Sequence, residues 1–365
     1  MATHEIGIDP TRRLAEDPGT GHNRWHPDIP AVVTVQPGDE IVLHSRDALD
    51  GQITRTSTSA DVADLDIGLV HPLTGPVYVA GAEPGDVLEI EMLEVTTASF
   101  GFTVQSSGFG FLREDFGKPF LARWDIADSL ATSPDVPGVA IPGQPFMGTI
   151  GVAPSRELLD GALARERVLH DAGGFVDLPE PRGAVPDDPA IAAEALRTIP
   201  PRENAGNIDI KQLTAGSTLR IPVGVAGALF SAGDAHFAQG DGEACGQAIE
   251  VRAKLRARLT VRRRDELAGP AQGLHFQGAT IDATGPYYAT TGTCLERDGT
   301  NRSEDLTLAA RNALRAMIEH LTSEYGYSPE QAYTICSVAV DLKVSQVVDL
   351  PNVVVSAFLP LEIFR

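Results

Sequence analysis

The chain of 365 residues carries 50 Asp and Glu against 29 Lys and Arg, a formal net charge of -21 at pH 7. That charge repels phosphate backbones and anionic lipid surfaces, and no basic patch with interleaved aromatics offsets it, which argues against nucleic acid as a partner. No apolar run approaches the ~20 residues of a membrane helix, the N-terminus lacks the apolar stretch of a signal peptide, and three cysteines without paired spacing (Cys245, Cys294 and Cys336) fit a reducing compartment, so a cytoplasmic protein without a membrane partner is expected.

At ~150 residues per domain, two or three domains are expected. Gln36-Pro37-Gly38-Asp39, Glu83-Pro84-Gly85-Asp86 and Thr214-Ala215-Gly216-Ser217 each precede an apolar alternating run such as EIVLHSR or DVLEIEMLEV, and these mark strand entries. Thirty-six Gly and 26 Pro suit short strands and tight turns. Residues 158–201 show modest helical spacing among Pro and Gly, the pattern of an insertion or lid. Thr218 to Ser231 reads as a buried strand, and Gly233 to Glu250 as a polar, glycine-rich loop at its end rather than a core element. In the helix expected over Ser303 to Glu324, Leu306, Ala309, Ala313, Ala316, Met317 and Leu321 share a face, Ser303-Glu304-Asp305 caps the start and Gly326 stops it. A shorter helix follows, capped by Ser328 with Pro329 in its first turn, and VSQVVDLPNVVVSAFLPL closes the chain with strand-like runs. The fold expected is mainly β, with a β-sandwich or barrel-like N-terminal region (1–150), the insertion or lid (151–200), a β-rich segment carrying the polar loop (201–300) and an α+β C-terminal part (301–365).

Asp234 and His236 stand two apart, so on an extended segment both side chains leave one face, as a carboxylate and an imidazole on one metal ion would. Asp47 and Asp50 at the end of the strand Glu40 to His44, and His71 before a Pro-rich turn, add the ligand types of a hydrolytic metal site; turn capping accounts for the same residues. Glu243 between Gly242 and Ala244 suits a general base, and Cys245 offers a thiolate nucleophile with His236 or Glu243 as its base. PPRENAGNIDI, with Arg202, Glu203, Asn204, Asn207 and Asp209, supplies polar groups for a carbonyl or amide, or a surface loop. HNRWHPDIP fits pocket lining or inter-subunit packing. A phosphate-cradling loop and a G-x-S-x-G elbow are absent, and Ser106-Ser107-Gly108 has no supporting lysine pattern.

In order along the chain, HNRWHPDIP, HPLTGPVYVAGAEPGD, IPGQPFMGTIGVAP, PPRENAGNIDI, GALFSAGDAHFAQGDGEACGQAIE and SVAVDLKVSQVVDLPNVVVSAFLP resemble the acetamidase/formamidase family, with GDxHxxQGDGE at Gly233 to Glu243 among its most specific stretches. The resemblance implies hydrolysis of a short aliphatic amide, such as formamide or acetamide, to ammonia and a carboxylate. It also implies a homo-oligomer and a divalent metal. The family pattern carries over at Asp47, His71, Asn207, Asp209, Asp234, His236, Gln239, Asp241 and Glu243, while Ala48 and Leu49 stand where longer members carry an aromatic, which leaves substrate size open.

The resulting expectation is a divalent ion, zinc ahead of calcium, on Asp47, His71, Asp234 and His236. Glu243 acts as general base with Asp241 and Gln239 as further catalytic groups, and Asp50, Asn207 and Asp209 hold the substrate. Two other readings are a cysteine-nucleophile amidase using Cys245 and a non-catalytic β-sandwich protein that binds a small ligand.

Overall fold

A computed structural model describes residues 1–267, 273–279, 285–348 and 350–365, so Asp349 in the closing run lies outside the described residues. The spine is an antiparallel pair of long strands, Val87–Gln105 and Glu250–Arg262. Alternation dictates it: Leu88, Ile90 and Met92 face Leu255, Ala257 and Leu259 in the core, while Glu91 and Arg258 pair on the wet face. Glu40–Ser45 joins the middle of Glu250–Arg262, and Phe230–His236 joins its first residues.

Phe146–Gly151 lies between Ala205–Asn207 and Phe230–His236 in the same sheet. Segments 1–150 and 201–300 therefore interleave strand by strand over one continuous core, and the division into separate β-rich segments does not describe the fold. Mainly β architecture with a C-terminal α+β part is what the structure has. There, the strands Tyr287–Gly292, Val354–Pro360 and Asp341–Gln346 form a three-stranded sheet against the helices Leu306–Tyr325 and Pro329–Ala339. The first helix is capped by Asp305 rather than Ser303 and ends at Gly326 with φ +74°.

Residues 151–200 are tied down rather than laid over the body as a lid. Ser155 caps the helix Arg156–Asp171, whose Leu159 and Ala162 pack on Trp25, Leu73 and Leu196. Arg202 donates from Nε and a terminal nitrogen to Glu166, at 2.6 and 2.8 Å, with both side chains buried. Arg202 is thus an anchor for the loop leading to Asn207 and Asp209, not a substrate contact. Glu166→Ala strands the guanidinium in the core and is expected to cost about 3–5 kcal/mol. Urea denaturation checks this, and a loss below about 1 kcal/mol would mean that the pair is solvated.

The first half of HNRWHPDIP, His22 to His26, is buried within the subunit, while Asp28 and Pro30 are exposed. His22 Nδ1 donates to the Arg24 carbonyl at 2.5 Å, and Ser231 Oγ lies 2.8 Å from its Nε2. Burial pushes His22 from its usual 6.5 to about 4, against the carbonyl hydrogen bond. An unfolded His22 takes a proton that the folded one refuses. Its contribution is therefore intact above pH 6.5 and is lost as pH falls to about 4, by about 3 kcal/mol. His22→Gln is expected to flatten this part of the stability–pH curve, read by urea unfolding at steps between pH 7 and 4.

Candidate active site

The segment expected as a loop begins as the strand Phe230–His236, every residue of which is buried. Small residues make this possible: a Cβ on Gly233 would lie 2.4 Å from the Pro72 carbonyl oxygen, so only glycine lets that neighbour approach. The polar groups are buried because they face one another, not because they lack a core position. Asp234 adopts φ +54° and falls between the paired positions Gly233–Thr149 and Ala235–Met147, which turns its carboxylate toward His236. His236 Nε2 lies 3.5 Å from Asp234 and 3.3 Å from Glu250, its partner across the ladder.

Asp209 (φ +46°) and Glu243 (φ +42°) complete the cluster from two loops. Ligand atoms of Asp209, Asp234 and His236 lie within 4.8 Å of one another, and so do those of His236, Glu243 and Glu250. Three carboxylate residues held in left-handed backbone store strain that the surrounding contacts must offset, a pattern found at reactive sites. A Cβ on Gly148 would sit 2.6 Å from Asp209 and 2.7 Å from His236, so glycine there keeps the space open.

Burial dominates the charge states. It lifts Asp209 well above the usual carboxylate range, with the Glu243 charge adding to it. It also lifts Glu243 to about 8, opposed by His236, and Glu250 to about 7, again opposed by His236. Asp234 stays low: burial works against it, but the charges of His71 and His236 hold it ionised. His236 is the converse, lifted well above its usual value because Glu250 and Asp234 outweigh its burial. Burial lowers His71.

The cluster forms part of the wall of a cavity of about 750 Å³, which His71, Asn207, Asp209, Asp234, Glu243 and Glu250 line together. The sequence does not mark Glu250 as a site residue, because alternation in EVRAKLRARLTVR puts it in phase with exposed Arg252; a register shift between Val251 and Ala253 breaks that phase, and Glu250 pairs with His236 in the buried ladder. Ser106, Ser107 and Gly108 also line the cavity, but no lysine does, so a serine–lysine amidase centre is not built here.

Other expected residues fall elsewhere. Asp47 accepts from the backbone nitrogens of Leu49 and Gly51, both at 3.1 Å, and Asp50 accepts from Leu14 N at 3.0 and 3.1 Å. With Arg12, Arg13, Arg46 and Arg252 they line a different cavity of about 660 Å³, while Ala48 and Leu49 between them face the cluster's cavity. Turn capping explains Asp47, while Asp50 ties down the distant Leu14 backbone beside Arg46, and neither joins the metal or substrate group. Asp241 accepts from Gln212 at 3.1 Å and its backbone nitrogen donates to Asp341, outside the cavity lining.

Gln239 acts through His236. Its Nε2 donates to the Asp209 carbonyl at 2.8 Å, which leaves Oε1 to accept from His236 Nδ1 at 2.9 Å. His236, held in its charged form, carries a proton on both nitrogens, with Nδ1–H donating to Gln239 and Nε2–H facing Asp234 and Glu250. Cys245 is buried outside the lining, its sulfur 3.6 Å from the Gln247 carbonyl and its thiol pushed up to about 12 by burial, so no thiolate faces substrate.

The sequence profile of the acetamidase/formamidase family matches residues 7–365. The chain is 37% identical over 381 aligned positions to a formamidase of Methylophilus methylotrophus, covering 99% of this chain and 93% of that protein. It is 36% identical to an acetamidase of Mycolicibacterium smegmatis, over 90% of this chain and 88% of the other. Its fold superposes on a gamma lactamase from Delftia acidovorans with a TM-score of 0.94 and 34% identity, covering 99% and 93% of the two chains. With the Asp234–His236–Glu243 cluster in its expected segment and these matches spanning nearly its full length, the chain belongs to the acetamidase/formamidase family.

Proposed function

We propose that this protein hydrolyses short aliphatic amides to ammonia and the carboxylate. The observation that carries it is the group of four carboxylates and one imidazole, His71, on the wall of one cavity with His236 buried behind them, in a chain whose relatives include a formamidase and an acetamidase. Glu243 takes a proton from the attacking water as its oxygen bonds to the amide carbon. It returns that proton to the nitrogen as the C–N bond breaks, since an amide anion is too basic to leave unprotonated. Asn207, whose Oδ1 lies 2.6 Å from Thr149 Oγ1, fixes one edge of the amide.

The donor set fits a divalent cation. Among the described residues His71 Nδ1 and Asp209 Oδ1 are buried without hydrogen-bond partners, and His236 turns Nε2 toward Asp234, a nitrogen that takes a cation once its proton is released. His71, Asp209, Asp234 and His236 would hold it, and two imidazoles favour zinc over calcium. Such an ion supplies positive charge that polarises a carbonyl and eases deprotonation of water.

Among the described residues, no helix is long and apolar enough to cross a membrane. Three free, buried cysteines support a reducing, cytoplasmic setting. Exposed Val344, Val347 and Val348 along the edge of the C-terminal sheet support a homo-oligomer, which a sedimentation measurement would check.

Ammonia release from formamide, acetamide and propionamide by the purified protein tests the reading. Ammonia from at least one is expected, and none from any would leave a non-catalytic binding role.

A further inference from the structure

The size and lining of the cavity bear on which amides enter it. Water occupies about 30 Å³, so formamide or acetamide, about two or three waters in bulk, would leave most of the 750 Å³ to solvent. Beside the acid–imidazole group the lining includes an apolar set, Leu49, Val62, Leu65, Val104 and Ile199, that packs as one cluster. Leu49, Val62 and Val104 belong to one buried cluster with Val70 and Leu121, so this wall is fixed by core packing and does not collapse onto a small substrate. Phe109 and Phe175, ring centroids 6.1 Å apart, also line the cavity and extend its apolar surface.

The charged residues in the lining are all acidic apart from His71: Asp177, Asp209, Asp234, Glu243 and Glu250. An acyl group ending in a carboxylate meets no lysine or arginine among the described lining residues and faces repulsion. Resting on the amidase reading, the geometry points to uncharged amides with an extended apolar acyl group, an alkyl chain of several methylenes or a ring, as the better substrates, with Leu49 and Leu65 setting the acyl length. The amide lies at the carboxylates and the acyl chain runs along the leucine wall. Each methylene buried there favours kcat/KM by about fourfold.

The test is kcat/KM for formamide, acetamide, butanamide, hexanamide, benzamide and adipamic acid, whose chain matches hexanamide but ends in a carboxylate. Hexanamide is expected to exceed acetamide by at least about tenfold, and adipamic acid to fall well below hexanamide. Leu65→Trp, at a half-buried position, and Leu49→Trp narrow the wall and are expected to lower the hexanamide-to-acetamide ratio at least about tenfold, a ratio that partial misfolding does not move. Acetamide cleaved as well as hexanamide, or a ratio unmoved in both folded variants, overturns the acyl pocket and leaves the amidase standing. No ammonia from any amide overturns both.

Discussion

Glu243→Gln is expected to lower kcat for amide hydrolysis by about 10²–10⁴-fold while leaving the protein folded. Glu243 sits in a tight turn, its backbone nitrogen donating to Gly240 and its carbonyl accepting from Gly246, so its position is set by backbone and survives an isosteric change. A carboxyl at about 8 is near neutrality on both sides, which suits a group that must take a proton and give it back in one cycle. Glutamine keeps the shape and loses the exchange. Because burial penalises the ionised acid, the amide should not destabilise the turn, and a Tm within a few degrees of the parent is the control. Full turnover in a folded Glu243→Gln protein would remove the proton role from this residue and pass it to Glu250, which reaches about 7 in the same cluster.

Local signals are legible in the sequence where the structure they specify is local. Asp234 and His236 do meet, though through the left-handed backbone at Asp234 rather than regular alternation, Ser328 caps its helix with Gln331 in the reciprocal bond, and Gly326 ends the preceding helix. Long-range pairing was not legible. The polar stretch after Ser231 looked like a loop because composition cannot show that Asp234, His236 and Glu250 come from two neighbouring strands and neutralise one another. Asp47 and Asp50 show the complementary limit: acids that bind backbone nitrogens and acids that hold an ion look alike until the loop's facing is known, and here it is Ala48 and Leu49 that face the cavity.

Removing the cation should abolish turnover, by at least about 10³-fold, with recovery on adding back zinc. Asp234 is the residue on which this turns. It is the one carboxylate of the cluster held ionised by its neighbours, His71 and His236, and it stands 3.5 Å from His236 Nε2, so it supplies anionic charge to an ion whatever the protonation of Asp209, Glu243 and Glu250. Asp234→Asn should therefore purify with little or no bound metal and with activity near background. Gln239→Leu leaves every proposed ligand in place but frees the His236 ring, and should weaken metal binding by about 10–100-fold, with much of the lost rate returning at saturating zinc. Metal content per chain, measured on the same samples as ammonia release, separates the cases. A parent protein indifferent to chelation and free of metal would assign the chemistry to the proton-sharing carboxylates alone. Metal retained by Asp234→Asn would move the ion to Glu243 and Glu250, where His236 provides the only nitrogen of the group.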